Sequence, residues 1–177
     1  MKNSVKSNMY ERTLEGMWEV FGDYLDGEYQ SLVCVVSTAA LGETATAALQ
    51  STFARLGYGR AACTFFVLQG RTSSQTAIPK ASSEQPAENT PDNVLALAEE
   101  EFYTVLEGID PLIVVIADES ARNVCAKAYR QEIPAKQRCR ILGREVRAFD
   151  SFEKMLANEK GKIEAWALLK TLPKYEA

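Results

Sequence analysis

Two rhythms of hydrophobic and polar residues alternate along this chain. Unbroken apolar runs, "SLVCVVSTA" from Ser31, "ACTFFVLQ" from Ala62 and "DPLIVVIAD" from Asp110, are separated by longer stretches in which apolar residues return every third or fourth position. The unbroken runs have strand length and no polar face, the pattern of strands buried on both sides in a parallel sheet. The longer stretches read as helices. Leu14, Met17, Trp18, Phe21 and Leu25 make one stripe over Met9 to Leu25, stopped by Gly27. "GETATAALQSTFARLGYG" gives a second, ended by Gly57 and Gly59. "PDNVLALAEEEFYTVLEGI" gives a third, with Asp92 as its cap and Leu95, Ala98, Phe102, Val105 and Leu106 inward. Asp118 caps a fourth, "ESARNVCAKAYR". "RCRILGREVRA" reads as a short last strand interrupted by Gly143, and the closing helix turns Leu156, Ile163, Trp166, Leu169 and Leu172 inward.

Strand and helix alternate throughout, so the pattern predicts a single three-layer α/β domain over residues 1–177. Four strands, near 31–37, 62–68, 111–117 and 138–148, are expected in one mainly parallel sheet, with residues 1–27 as an N-terminal helix. One stretch departs from the pattern. "GRTSSQTAIPKASSEQPAENTP" is rich in Ser, Thr, Gln and Pro and carries almost no large apolar residue. Such a composition buries too little surface to offset its ordering entropy, so 71–90 reads as an exposed, mobile loop.

Composition narrows the function classes. The net charge of −4 and pI of about 5.1 give no long-range pull toward DNA or anionic membranes, so nucleic acid is only weakly supported as a partner. No apolar run approaches the ~20 residues of a membrane helix, and "MKNSVKSNMYERTLEGMW" has no apolar block behind its lysines. No membrane association and a cytoplasmic location are the expectations. Cys34, Cys63, Cys125 and Cys139 are scattered without a C-x-x-C pair and read as buried or half-buried thiols rather than metal ligands. The glycine patterns of P-loop and dinucleotide sites are missing, so no cofactor is expected.

Ligands of open parallel sheets bind beyond the carboxyl ends of the strands. That rule selects Ser37 to Gly42, Leu68 to Arg71, Ala117 to Glu119 and Phe149 to Phe152, and within them Ser37, Thr38, Gln69, Asp118, Asp150 and Ser151 as candidate pocket residues. Ser37 and Thr38 suit either an anion site or, more commonly, a helix cap. Glu99, Glu100 and Glu101 point in different directions on a helix and read as a solvated face. The lysines of the last helix alternate with Glu159 and Glu164, making a mixed surface.

The same segments carry a resemblance. "LEGIDPLIVVIADESARNVCAKAY" is similar to the stretch of the uracil-DNA glycosylase superfamily in which a helix leads into "P-x-V-I-V-A-L-G-x-x-A" and another helix. "AFDSFEKMLANEKGKIEAWALLKTLP" resembles its "H-P-S-x-L-L" followed by Asn, Lys, Trp and Leu-Lys. "VCVVSTAALGETATAALQSTFARLG" stands where the family has its "G-E-x-P-G" loop and following helix, and "ENTPDN" resembles its Asn-x-Thr-Pro stretch. The likeness runs in order over residues 31 to 173. It implies a pocket that takes a flipped base, a first-loop residue that handles water, and a histidine that supports the departing uracil.

By spacing, that histidine falls on Ser151, the proline after it on Phe152, and the first-loop acidic position on or near Thr38. The chain contains no histidine, and its cysteines miss the family's iron–sulfur positions. The expectation is a glycosylase-like fold without glycosylase chemistry, acting as a binding or interaction protein toward a small ligand, a nucleobase or a protein partner. A divergent enzyme acting on nucleic acid or nucleotide and a flavodoxin-like small-ligand domain are the alternatives. No residue is assigned a catalytic role.

Overall fold

The computed structural model describes residues 14–59, 62–70 and 97–175. Strand β1 is Leu25–Gly27, β2 Val33–Ser37, β3 Cys63–Val67, β4 Ile113–Ile116, β5 Arg138–Ile141 and β6 Arg144–Ala148. They form one six-stranded mixed sheet in the order β1-β3-β2-β4-β6-β5. The inner pairs β3–β2, β2–β4 and β4–β6 are parallel, and β1 and β5 close the two edges antiparallel. β2 is the hub: Val33 stands beside Cys63 on one side and Ile113 on the other.

The unbroken apolar runs are explained by helices on both faces. Helices α1 (Leu14–Phe21), α3 (Glu99–Ile109) and α4 (Glu119–Tyr129) cover one face. There Met17, Phe102, Val105, Leu106 and Cys125 pack on Cys34, Val36, Phe66, Val114 and Ile116. The rings of Phe66 and Phe102 stack at 5.2 Å between centroids. Helices α2 (Glu43–Arg55), α5 (Phe152–Leu156) and α6 (Glu159–Leu169) cover the other. Leu49, Phe53, Phe152, Ala165 and Leu169 pack there on Val33, Val35, Phe65, Ile113 and Val115. Consecutive strand residues thus enter opposite cores, and neither can be polar at low cost.

Four expectations are corrected. The sheet has six strands rather than four, because the segment 138–148 is not one strand. Leu142 and Gly143 both take positive φ, 47° and 88°, and fold it into a hairpin whose second arm alone joins the parallel core. The first helix ends at Phe21. A 3-10 turn, Gly22–Tyr24, then leads Leu25 into β1 rather than continuing the helical stripe. The closing helix is two helices, since Asn158 caps α6 by accepting the Gly161 N–H at 2.7 Å. That new start resets the phase. Gly161, Ala165 and Leu169 face inward, while Ile163 is 67% exposed and Trp166 36%. Residues 71–90, Asp92 and Leu95 lie outside the described residues. Helix α3 starts at Glu99, where the Glu101 carboxylate accepts the Ala98 N–H at 3.1 Å.

Small residues let α6 approach α5. A Cβ on Gly161 would lie 2.2 Å from the carbonyl oxygen of Met155. Backbone cannot yield as a side-chain end does, so Gly161→Ala is expected to push the two helices apart. The cost is about 2 kcal/mol despite the better helix propensity of alanine. A urea titration followed by circular dichroism should show a lower midpoint with an unchanged slope.

Among the described residues, the charged side chains buried in the sheet, Glu145 and Arg147, are both on β6. Arg147 is fully buried on the α6 side. Its guanidinium donates to the Glu145 carboxylate at 3.1 Å, to the Val146 carbonyl at 2.8 Å and to the hydroxyl of Thr171 at 3.0 Å. Arg140 from β5 holds the other Glu145 oxygen. Burial raises the pKa of Glu145, but hydrogen bonds from Arg140 and Arg147 outweigh it and hold the carboxyl below its ordinary value. At the amino end of β6, Arg144 bridges Glu107, Asp110 and the Pro111 carbonyl, fastening α3 to the sheet.

Candidate functional site

The carboxyl ends of the four parallel strands lie side by side, and main-chain hydrogen bonds join the four selected segments in two pairs. The Leu68 and Gln69 N–H groups donate to the carbonyls of Ser37 and Thr38, each at 2.9 Å. The Glu119 N–H donates to the Asp150 carbonyl at 3.1 Å, and the Phe152 N–H to the Ala117 carbonyl at 2.8 Å. Asp118 and Ser151 face each other in an isolated antiparallel bridge.

Asp118 is the most heavily used side chain at this end. Its Oδ1 accepts the Ala121 N–H at 2.9 Å, the cap read from sequence, and also the Thr38 hydroxyl. Its Oδ2 accepts the Thr38 N–H at 2.7 Å. One carboxylate thus caps α4 and clasps β2 to β4. Thr38 therefore does not cap α2, nor does Ser37. The N-cap of α2 is Gly42, whose N–H donates to the Glu153 carboxylate from α5 at 2.6 Å. An acidic group near a helix N-terminus also complements the helix dipole.

Ser151 caps α5, accepting the Lys154 N–H at a long 3.4 Å. Asp150 is half exposed and pairs with Arg122 at 3.4 Å and Lys136 at 3.9 Å. Gln69 enters through its backbone N–H. Ser37 differs from the rest: its residue is 1% exposed and its hydroxyl has no hydrogen-bond partner among the described residues. Glu99, Glu100 and Glu101 are all exposed, as a solvated face requires.

A cleft of about 390 Å³ opens beside the end of β6. Lys136, Lys154 and Lys160 contribute ammonium groups, Ser151 and Asn158 neutral polar groups, and Asp150 and Glu164 carboxylates. Asp150 and Ser151 are the two predicted residues in this cleft; Ser37, Thr38, Gln69 and Asp118 do not line it.

Sequence reasoning missed Lys136, Lys154 and Glu153. Lys136 lies in the connection before β5, and its backbone N–H, bonded to the Ala148 carbonyl at 2.7 Å, brings it to the end of β6. No spacing rule announces such a return. Glu153 had a local signal, an acid in the first turn of a helix, but its partner Gly42 is 111 positions away.

The cysteines are free. Cys34, Cys63 and Cys125 are buried and Cys139 half-buried, as their scattered apolar settings suggested. Burial pushes the Cys63 and Cys125 thiols up to about 12, which leaves them protonated and unreactive near neutrality. Among the described residues, no helix is long and apolar enough to cross a membrane.

Fold and site define a three-layer mixed α/β domain with a polar junction at the carboxyl ends of its parallel strands. Compared with protein-family models and with curated proteins, the chain has no match.

Proposed function

We propose that this chain is a uracil-DNA glycosylase-like domain without glycosylase chemistry, working as a binding protein whose ligand enters the cleft beside β6. The observation that carries this reading is the engagement of the polar groups at the strand ends. Asp118 is held by Thr38 and the amino end of α4, Ser151 caps α5, and Asp150 is ion-paired. Base excision needs a group free to activate water and a donor for the uracil anion, each preorganised donor contributing about 3 kcal/mol. Thr38 has no basicity, and Ser151 offers a neutral hydroxyl in place of an imidazole.

The cleft suits a small polar ligand with an anionic end. Lys154 and Lys160 supply charge, Ser151 and Asn158 directional hydrogen bonds, and Met155 an apolar wall. Uridine monophosphate and inorganic phosphate are suitable probes. Titration of isotope-labelled protein should move the amide resonances of Lys154, Asn158 and Gly161, and Lys154→Glu should abolish the effect. Resonance changes confined to other surfaces would remove the cleft from consideration.

Purified protein given uracil-containing single- and double-stranded oligonucleotides is expected to generate no abasic sites. Turnover that disappears in Ser151→Ala would overturn the non-catalytic reading. A second reading, a divergent enzyme acting on nucleic acid or nucleotide, draws support from Ser37, whose buried hydroxyl at the end of β2 lacks a partner among the described residues.

A further inference from the structure

We propose that the outer edge of β5 is a docking site for an acidic polypeptide segment, which adds to the sheet as a further antiparallel or parallel strand paired with Arg138 and Arg140. This goes beyond the cleft reading and does not depend on it. Among the described residues, β5 is the terminal strand of the sheet on this side.

The hairpin decides which of its backbone groups face outward. A two-residue turn, Leu142 and Gly143, leaves Ile141 and Arg144 as the pair that exchanges both hydrogen bonds. Pair types alternate, so Cys139 also bonds inward to Val146, and the main-chain groups of Arg138 and Arg140 point away from the sheet. The Arg140 carbonyl confirms the direction. It accepts the side-chain amide of Gln131 at 2.8 Å, in the position that a neighbouring strand's N–H would take.

Charge selects the occupant. Of the basic residues from Arg130 to Arg147, Lys136, Arg140, Arg144 and Arg147 are paired with carboxylates, whereas Arg138, on β5 itself, is paired with none among the described residues. Arg138 and Arg140 lie on the same side of β5 and are both exposed. Arg140 reaches Glu145, whereas Arg138 makes no ion pair among the described residues. Charged edge residues ordinarily discourage strand addition, but they discourage it for neutral and like-charged strands. Edge-to-edge pairing with a second copy of this chain sets arginines against arginines and is disfavoured. A nucleic acid satisfies the charge but has no alternating N–H and C=O row to match the edge. An extended peptide with carboxylates at alternate positions satisfies both, with main-chain bonds giving affinity and side chains giving selectivity.

The test uses the full chain and a short, end-capped, dye-labelled peptide alternating glutamate and threonine, followed by fluorescence anisotropy. Saturable binding is expected, weakening as salt rises. The amide resonances of Arg138 and Arg140 and the side-chain amide of Gln131 should shift. Arg138→Glu, checked for an unchanged thermal midpoint, should weaken binding on the order of tenfold, and a lysine–threonine peptide should not bind. The same acidic peptide N-methylated at alternate backbone positions keeps its charge and loses its strand hydrogen bonds, so its affinity should fall on the order of tenfold or more. Undiminished binding of the methylated peptide would overturn the proposal. So would displacement of the peptide by a single-stranded oligonucleotide with the same dependence on Arg138, or sedimentation of the free protein as a dimer that Arg138→Glu dissociates.

Discussion

Glu145→Ala is expected to cost about 4 kcal/mol of folding stability, the larger of two effects that the structure makes specific. The variant removes the carboxylate that lies between Arg140 and Arg147, and Arg147 is 0% exposed. Thr171 and the Val146 carbonyl still accept hydrogen bonds from the guanidinium, but they do not neutralise it. An uncompensated buried charge is far more costly than the loss of the pair as a unit. Replacing Glu145 and Arg147 together by valine should therefore recover most of the loss. Urea denaturation of the two variants measures both, and a double variant no more stable than Glu145→Ala would sink the charge argument.

The pH dependence has a definite sign. The folded chain holds Glu145 below its ordinary carboxyl value, so the unfolded state binds its proton first as pH falls. The stabilisation is complete above the unfolded-state value and is lost as pH drops through the lower folded one. The stability gap between the native chain and Glu145→Gln should accordingly be widest near neutrality and close in acid.

Asp118→Ala should be the second large effect, about 3 kcal/mol. Two kinds of interaction go at once. The cap of α4 accounts for about 1 kcal/mol. The bonds from the Thr38 N–H and hydroxyl to a charged, half-buried acceptor account for the remainder. Asp118→Asn keeps a capping oxygen and should lose roughly half as much. Thermal or urea unfolding of the three proteins gives the comparison. Equal losses for alanine and asparagine would mean that the carboxylate charge contributes nothing to the clasp.

The inner strands β2, β3 and β4 were legible because each is flanked by neighbours and covered on both faces, which forces largely apolar runs at Val33–Ser37, Cys63–Val67 and Ile113–Ile116, whereas inner β6 carries the Glu145–Arg147 pair and no such run. The edge strands were not. β1 is three residues, Leu-Asp-Gly, and β5 alternates exposed arginines with half-buried Cys139 before buried Ile141. Neither reads as a core segment. Gly143 was visible, but its meaning depended on Leu142 also adopting a positive φ, which a leucine does not advertise. The phase of α6 was misjudged for a related reason. The buried face of α6 is Gly161, Ala165 and Leu169, and the close approach to α5 is at Gly161, whose value lies in being small, while the conspicuous Ile163 and Trp166 are exposed.

At the candidate site, local chemistry was readable and distant partners were not. Asp118 has the capping position written beside it in the chain, and the structure gives it that role. Its second role, the clasp on Thr38, joins residues 80 positions apart, and nothing near either residue signals the other. Ser37 and Thr38 looked like caps because a helix follows, yet Glu153 meets the end of that helix from the far side of the sequence.

The place of β2 at the centre of the sheet also governs how quickly the molecule can form. Its pairing with β4 and the Thr38–Asp118 clasp span the same separation of 80 residues, so the chain must close a long loop before that seam yields any energy. The β5–β6 hairpin closes across two residues, and α5 and α6 follow directly behind it. Local contacts form early and distant ones set the rate. The C-terminal third can thus organise while β2 is still apart from β4. Joining of β2, which meets β3 over the much shorter span from Val33 to Cys63, to β4 is then the expected slow event, and until it happens the facing edges of β2 and β4 are open to solvent and to other chains.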